Sequence, residues 1–502
     1  MRRLLPLLAL LLIAAPAAQA ADTFEVGTAK TLANPPAGQM LCIGGYDFCE
    51  EGGGGRTMQP TPATATTPAY PDGIADDSYA RALAVGDGKN GMILVHTTNI
   101  GLFVSYKTPG LGIYHLRQKV AEQTGVAADH VIVQADHSHH GPDTIGIWGG
   151  VPPEYLAKLQ NAAIDAAVRA WKARKPARVY VGTADGPGVT SSYNTPPNVG
   201  TDDEFRLLWA NDRTTGDRIA TFSNYSPHAT SRKKQNVLSG DWPEWASTMA
   251  EARYGGGGIA GVGTLGREDF GDEVGPPRRE KSEAVARARI DRLMTAATAA
   301  GAEVPPTRGV AVKTVFIREP LAQPILAANF APETPVAIAG MNVSIDRDIA
   351  PPWNVPGSLG TYTGAARIGD VFFGMSPGEP FPQIQFYLRE QQGIKGARTI
   401  FHLGAVGDFL GYMVYPVGDY PQVFQEGAGY LAGCPEEAVL GGLGVPIDEA
   451  CPDHWTLMVG PGIGTHVACT IQAAGGALGF EVGPTDDACP AATASDGVAP
   501  PA

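Results

Sequence analysis

Three of the ten histidines lie within four consecutive positions, at His137, His139 and His140. They follow an apolar, β-branched run over residues 131–135, which predicts a buried strand. Alternate side chains of a strand point to the same face, so if the extended backbone persists, His137 and His139 project together and His140 points away. Imidazole nitrogens are common zinc ligands, and a Gly-Pro turn follows the cluster. The pattern predicts a metal site, with structural histidines as the alternative.

Three further polar side chains follow predicted strands elsewhere. His228 follows a strand ending at Phe222, Glu379 stands at a strand-to-helix junction, and Tyr412 follows a strand ending near Leu403. Groups gathered at strand ends are typical of a site on an open sheet edge. Each group also has a structural alternative: a hydrogen-bonded histidine, a carboxylate that complements a helix N-terminus, and a packed tyrosine ring.

Strands and helices alternate along the chain, which predicts an α/β fold with a mixed sheet core layered with helices. The 64 glycines and 42 prolines make it rich in loops. Predicted strands cover residues 24–29, 80–85, 91–96, 131–135, 177–183, 205–209, 217–222, 370–374 and 397–403. Predicted helices cover residues 111–125, 153–174, 279–300 and 380–390, and another begins near Pro243.

The N-terminus has the three parts of a secretory signal peptide. Residues 1–3 are Met-Arg-Arg, residues 4–15 form a leucine- and alanine-rich core, and Ala18-Gln19-Ala20 has the small residues of a cleavage site. We therefore predict a signal peptide over residues 1–20 and a secreted or periplasmic protein. Six cysteines in an exported chain predict disulfide bonds. The simplest pairing is local: Cys42–Cys49, Cys434–Cys451 and Cys469–Cys489.

Charge and composition limit the classes of partner. The formal net charge of −14 disfavours non-specific binding to nucleic acid. Hydrophobic residues make up 44% of the chain, which is enough for a large core. We predict no nucleic-acid partner, and no protein partner is evident in the sequence.

Four short motifs, in the same order along the chain, resemble those of the neutral (non-lysosomal) ceramidases. That family has His-Thr-His-Ser-Gly-Pro after a buried strand, and this chain has His-Ser-His-His-Gly-Pro over residues 137–142. The family histidine that precedes a Ser-Gly-Asp or Ser-Ala-Asp step is matched by His228 with residues 239–241, and its Pro-Gly-Glu by residues 377–379. A family tyrosine is matched by Tyr412, with Tyr420 downstream. The resemblance covers the span from about residue 24 to residue 427.

The resemblance implies one zinc ion (Zn2+) bound by His137, His228, Glu379 and Tyr412. It implies that His139 handles protons beside the metal. Asp241, the last residue of the Ser-Gly-Asp step, is expected to orient a ligand histidine. The implied reaction is hydrolysis of the N-acyl bond of ceramide or a related N-acyl lipid by a zinc-activated water. The expected partner is therefore an N-acyl lipid or another acylated amine, reached by transient contact with a membrane surface.

Several positions depart from the family pattern. His140 replaces a serine before Gly-Pro, and the segment around Thr264 lacks the serine of the family's Gly-Asp-Val-Ser-Pro. Gln425 stands where the family has a tyrosine thought to hold the oxyanion, and Tyr420 or Tyr415 is the expected substitute. These departures motivate an alternative function, a non-catalytic secreted protein that binds zinc or lipid and keeps the fold. A dizinc lactamase-like enzyme is disfavoured, because Gly141 occupies the position of an aspartate in its His-x-His-x-Asp-His motif.

The sequence has one boundary signal, after about residue 430, where the predicted helix content thins. Residues 21–430 are expected to form a neutral-ceramidase-like zinc hydrolase domain. Residues 431–490, which hold four of the six cysteines, are expected to form a disulfide-held appendage where the family has an immunoglobulin-like domain. Residues 491–502 are rich in alanine and proline and are predicted to be a disordered tail.

Overall fold

A computed structural model describes most of the chain. The described residues are 23–46, 49, 56–65, 68–186, 190–191, 200–232, 235–266, 268–270, 279–321, 345–348, 350–355, 357–391, 393–415, 459–460, 462–485 and 489. The predicted signal peptide, the predicted Cys434–Cys451 disulfide and the predicted tail lie outside these residues.

The largest sheet carries the histidine-bearing strand at one end. Its strands are β1 (Phe24–Leu32), β2 (Tyr79–Gly86), β3 (Gly91–Thr97), β4 (Val131–Ala135), β5 (Lys175–Asp185), β7 (Glu204–Asp212), β8 (Arg218–Tyr225), β9 (Gly257–Val262) and β11 (Ala302–Glu303). They lie in the order β4-β3-β2-β1-β5-β7-β8-β9, with β11 paired to β5. The pairs β3–β4 and β8–β9 are parallel, so the chain must cross over before each of these pairs forms. A separate two-stranded pair joins β6 (Thr190–Ser191) to β10 (Glu268–Asp269).

A second sheet lies against the first. Its strands are β12 (Val310–Pro320), β13 (Asn354–Val355), β14 (Ser358–Ile368), β15 (Val371–Met375) and β18 (Thr399–Leu403), with β12-β14-β15-β18 in order. An aromatic contact joins the two sheets: the ring of Phe401 in β18 lies 5.8 Å from that of Phe222 in β8, and its neighbour within the second sheet, Phe373, stacks on it at 4.9 Å. Two short pairs complete the strands: β16 (Glu379–Pro380) with β19 (Tyr412–Met413), and β17 (Ile394–Lys395) with β20 (Glu481–Val482).

Helices cover the outer faces of both sheets. They are α1 (Ile113–Thr124), α2 (Pro153–Lys172), α3 (Asp241–Tyr254), α4 (Arg279–Ala299), α5 (Pro382–Phe386) and α6 (Ile463–Ala477). The buried alanines of α2 pack on β1 and β2, α3 packs on β9, α4 packs on β5, and α6 packs on β14. The fold is therefore α/β, with mixed sheets between layers of helices, as the sequence predicts. None of the helices in the described ranges is long and apolar enough to span a membrane.

Two of the three predicted disulfides are confirmed, Cys42–Cys49 and Cys469–Cys489. The second joins Cys489 to Cys469 of α6, a helix that the sequence analysis does not predict. Its Val467 and Ile471 are buried in one cluster with Phe372 of the second sheet. The described part of the C-terminal segment thus shares the hydrophobic core of the preceding residues.

Candidate metal centre

The histidine cluster begins just after the end of strand β4. β4 stops at Ala135, and His137 has a left-handed backbone with φ of 53°. Such a conformation is unfavourable for a residue with a Cβ and is held here by neighbouring contacts. The carboxylate of Asp136 accepts hydrogen bonds from the backbone N–H groups of Asn99 and Ser138, at 2.9 and 3.1 Å. The extended backbone does not persist beyond Ala135, so a tight turn, and not the alternation of a strand, brings His137 and His139 together.

A backbone bridge joins the cluster to His228. The backbone N–H of His139 donates to the carbonyl of Ala229 at 3.1 Å, and Ser138 pairs with Ala229 in parallel register. The backbone N–H of His228 donates to the carbonyl of Glu268 at 2.7 Å. The ends of β4 and β8, far apart in the order of the sheet, therefore meet at one place.

Three imidazole rings converge there. The ring of His137 lies 5.0 Å from that of His139 and 5.1 Å from that of His228, and the rings of His139 and His228 are 5.3 Å apart. One nitrogen of each ring lies within 4.8 Å of the others. His137 and His228 are buried. This spacing suits a shared cation, because each zinc–nitrogen bond is about 2.0–2.1 Å long.

Backbone carbonyls set the tautomers of two of these rings. Nδ1 of His137 lies 2.7 Å from the carbonyl oxygen of Ile100, and Nδ1 of His228 lies 3.2 Å from that of Glu268. A carbonyl only accepts, so each Nδ1 carries the hydrogen, and in the neutral ring each Nε2 keeps a lone pair. Both lone pairs are therefore available to a metal, as outer partners of ligand histidines commonly arrange.

Glu379 brings a carboxylate to the same point. Its Oε2 lies 3.0 Å from Nε2 of His228 and 3.5 Å from Nε2 of His137. Burial raises the pKa of Glu379, but the charges and hydrogen bonds of His137 and His228 outweigh it and hold the pKa well below its usual value. Burial lowers the pKa of His228, and its hydrogen bond with Glu379 more than reverses this. The histidines thus favour the negative charge of the Glu379 carboxylate, and Glu379 favours positive charge at His228.

These atoms fit a divalent cation. Two lone pairs and a carboxylate oxygen face one another in a buried space, an arrangement that needs positive charge between them. Among the described residues, Nδ1 of His139 is also buried and has no hydrogen-bond partner. Imidazole nitrogen and carboxylate oxygen are the donor atoms of hydrolytic zinc sites.

Tyr412 lies beside Glu379 on a neighbouring strand. The backbone N–H of Glu379 donates to the carbonyl of Gly411 at 2.8 Å, and Glu379 pairs with Tyr412 in parallel register. The Tyr412 side chain is buried, with its ring 6.1 Å from that of Phe381. The pairing of β16 with β19 therefore joins two of the predicted ligands, which are 33 positions apart in sequence.

His139 lies closest to His137. The two Nε2 atoms are 3.3 Å apart. Burial, together with the neighbouring His137, His228 and Arg56, holds the pKa of His139 well below its ordinary value. The ring is therefore neutral near pH 7 and has a lone pair to bind a metal or take a proton.

Asp241 has a different neighbour from the one expected. Its Oδ2 lies 3.6 Å from Nδ1 of His140, which is fully buried, and accepts the backbone N–H of Arg232 at 3.0 Å. Backbone carbonyls, rather than Asp241, hold the Nδ1 atoms of His137 and His228. Asp241 begins α3 in a left-handed conformation with φ of 52°. Two other predicted site residues, Tyr420 and Gln425, lie outside the described residues.

An apolar pocket adjoins the carboxylate. Its space of about 450 Å³ is open in part to solvent, and Glu379 forms part of its wall. Phe409 also lines the pocket, and its ring stacks on that of His137 with centroids 5.1 Å apart. Most of the remaining lining is apolar and includes Phe103, Ile147, Trp148 and Leu410. Sequence reasoning missed these residues, because nothing in their local pattern distinguishes a pocket wall from a core.

Two solved structures share this fold. A crystal structure of neutral ceramidase from Pseudomonas aeruginosa aligns over 81% of this chain and 71% of its own, with a TM-score of 0.58 and 16% sequence identity. A structure described as ceramidase complexed with C2 aligns over 92% of this chain and 77% of its own, with a TM-score of 0.60 and 14% identity. No protein-family model and no curated protein matches the sequence. The predicted resemblance to neutral ceramidases is confirmed at the level of the fold.

Proposed function

We propose that this chain, which has the fold of the neutral ceramidases, is a zinc-dependent hydrolase of N-acyl lipids. The observation that carries the proposal is the convergence of Nε2 of His137, Nε2 of His228 and Oε2 of Glu379 on one buried point. The apolar pocket beside that point suits the hydrocarbon chain of an acyl group.

In this proposal His137, His228, Glu379 and Tyr412 hold the zinc ion. A bound zinc ion supplies a Lewis acid and a water of lowered pKa for hydrolysis. The carbonyls of Ile100 and Glu268 keep the two histidines in the tautomer that binds a metal.

His139 is the proposed proton carrier. Its neutral ring lies beside His137, and its Nδ1 has no hydrogen-bond partner in the described part of the chain. It is therefore able to take a proton during attack on the acyl carbon and to return it to the departing amine. The phenyl ring of Phe409, which stacks on the ring of His137, lines the pocket beside the carboxylate.

Metal content and product release test the proposal together. We expect His137→Ala and His228→Ala proteins to lose both bound zinc and release of fatty acid from N-octanoylsphingosine. A His139→Ala protein should keep zinc and lose most of the hydrolysis. Loss of zinc in His139→Ala would make His139 a ligand instead. A wild-type protein that binds zinc but hydrolyses no member of an N-acyl lipid panel would support the non-catalytic alternative.

The place of action is proposed to be outside the cytoplasm. Cys42–Cys49 and Cys469–Cys489 are both formed, and such bonds persist in oxidising compartments. Fusion of residues 1–30 to a reporter enzyme that is active only after export tests this, and activity retained in the cytoplasm would contradict it.

A further inference from the structure

Two residues of a small loop closed by a disulfide, Gly45 and Tyr46, lie against the ring of His139. We define this loop as the 42–49 loop, closed by Cys42–Cys49 and described at residues 42–46 and 49. The ring of Tyr46 meets that of His139 edge to face, with centroids 4.9 Å apart and planes at 73°. Gly45 has φ of 97°, and a Cβ there would collide with the His139 ring. The loop therefore confines the imidazole from one side.

The same loop is bonded to the segment that follows the histidine cluster. The backbone N–H of Gly44 donates to the carbonyl of Gly141 at 3.1 Å, and that of Cys49 donates to the carbonyl of Trp148 at 2.9 Å. The backbone N–H of Asp143 donates to the carbonyl of Cys42 at 2.9 Å. Both ends of the loop are thus attached to the segment that follows His139 in sequence.

Arg56 links the loop to the histidine from a third direction. Its Nη1 donates to the backbone carbonyl of His139 at 2.8 Å, and its Nη2 donates to that of Gln235 at 2.9 Å. Its guanidinium lies 4.8 Å from the centre of the Tyr46 ring. Arg56 is buried, so these contacts hold Tyr46 in one orientation.

We propose that Tyr46, held by the Cys42–Cys49 disulfide, is a positioning residue that fixes the ring of His139 toward His137. This inference rests on the proposed function in one respect, the role of His139 in hydrolysis. In the role we assign it, Tyr46 acts through its ring, and its hydroxyl has a separate hydrogen-bond partner in Thr230. Loss of the ring or of the disulfide should leave His139 mobile and exposed.

The exposure of the His139 ring can be measured without any substrate. The zinc-loaded protein is treated with diethyl pyrocarbonate, and carbethoxylation of His139 is followed by peptide mass spectrometry. We expect His139 to react at least tenfold faster in Tyr46→Leu and in the Cys42→Ser/Cys49→Ser protein than in wild type. Tyr46→Phe should keep the wild-type rate, because it keeps the ring. In parallel, kcat for N-octanoylsphingosine should fall in the first two variants with little change in KM.

The second disulfide provides a matched control. A Cys469→Ser/Cys489→Ser protein removes a bond on α6 and should leave the reactivity of His139 unchanged. The fully buried His96 and His402 serve as internal references, since their protection shows that a variant is folded. Equal reactivity of His139 in wild type, Tyr46→Leu and the Cys42→Ser/Cys49→Ser protein would overturn the proposal. Absence of hydrolysis in wild type would overturn the proposed function but leave this measurement decisive.

Discussion

Nε2 of His228 lies 3.0 Å from Oε2 of Glu379, although the two residues are separated by 151 positions. Because Nδ1 of His228 faces a backbone carbonyl, the nitrogen turned to the carboxylate is the one with the lone pair. The contact therefore needs a cation or a proton between its two acceptors. Strand β16 holds Glu379 in this position through its pairing with β19, so that pairing supports the chemistry of the site.

Removing the charge of the carboxylate should weaken zinc binding. Glu379→Gln keeps the shape of the side chain but supplies a neutral oxygen. Loss of even an outer partner of a metal ligand costs about 10–100-fold in affinity, so we expect a loss of more than about 100-fold here. Competition with a chromophoric chelator measures it. The matched control is Glu390→Gln, because Glu390 is an exposed carboxylate 11 positions after Glu379. Equal zinc affinity in the two variants would exclude Glu379 as a ligand.

Filling the apolar pocket should change the preferred acyl length. Ile147→Trp places a larger side chain in the pocket wall, so long acyl chains lose room while short ones do not. Each methylene excluded from the pocket costs about 0.8 kcal/mol, or about fourfold in kcat/KM. A series of N-acylsphingosines from two to eighteen carbons measures the shift. Ile164→Trp, on α2, should leave the series unchanged, and an unchanged series in Ile147→Trp would place the acyl chain elsewhere.

Acid should destabilise the protein through buried neutral histidines. Burial lowers the pKa of His402 to about 3, and Nε2 of His402 lies 2.7 Å from the hydroxyl of Ser376. Between pH 6.5 and 3 the unfolded chain binds a proton at this histidine that the folded chain does not, so stability is lost as the pH falls below 6.5. By pH 5 the loss is about 2 kcal/mol.

The difference between wild type and His402→Gln isolates this contribution. Urea unfolding of both proteins in EDTA, at pH 7 and pH 5, should show a smaller acid loss in the variant, because glutamine does not titrate. The same pH dependence in the two proteins would contradict a neutral buried His402.

A buried ion pair beneath the site should be sensitive to the loss of one partner. Arg206 donates to Asp202 through two hydrogen bonds of 2.8 and 2.9 Å, and both side chains are fully buried. The hydroxyl of Ser226, two residues before His228, donates to Asp202 at 2.8 Å. Asp202→Asn removes the fully buried counter-charge and leaves only the partly exposed Glu204, at 3.4 Å, so it should lower the free energy of unfolding by about 3–5 kcal/mol.

The matched control for this pair is a double variant. Asp202→Leu/Arg206→Met removes both charges, so its loss of stability should be smaller than that of Asp202→Asn. Chemical denaturation of the three proteins measures the comparison. A double variant less stable than Asp202→Asn would show that the charges themselves stabilise the fold.

Local patterns predicted the elements with strong local signals. The apolar run of β4, the long amphipathic α2 and the short-range disulfides Cys42–Cys49 and Cys469–Cys489 depend on residues close in sequence. The strands β12 and β14 were missed because each is stabilised mainly by the other, across about 50 positions of chain. Helix α6 was missed for a related reason, since glycines within it weaken its local signal and packing against the second sheet supplies the stability.

The sequence by itself determined which side chains were available for chemistry: a dense histidine cluster, a distant histidine, a carboxylate and a tyrosine, all after predicted strands. Their roles at one site stay a prediction from that pattern and from the family resemblance. Only the tertiary structure decided that His137 turns through a left-handed backbone, that Glu379 pairs with Tyr412, and that Tyr46 lies on His139. These relationships join segments far apart along the chain. Local spacing carries no information about such contacts, because strand pairing, disulfide closure and burial of the core bring the segments together.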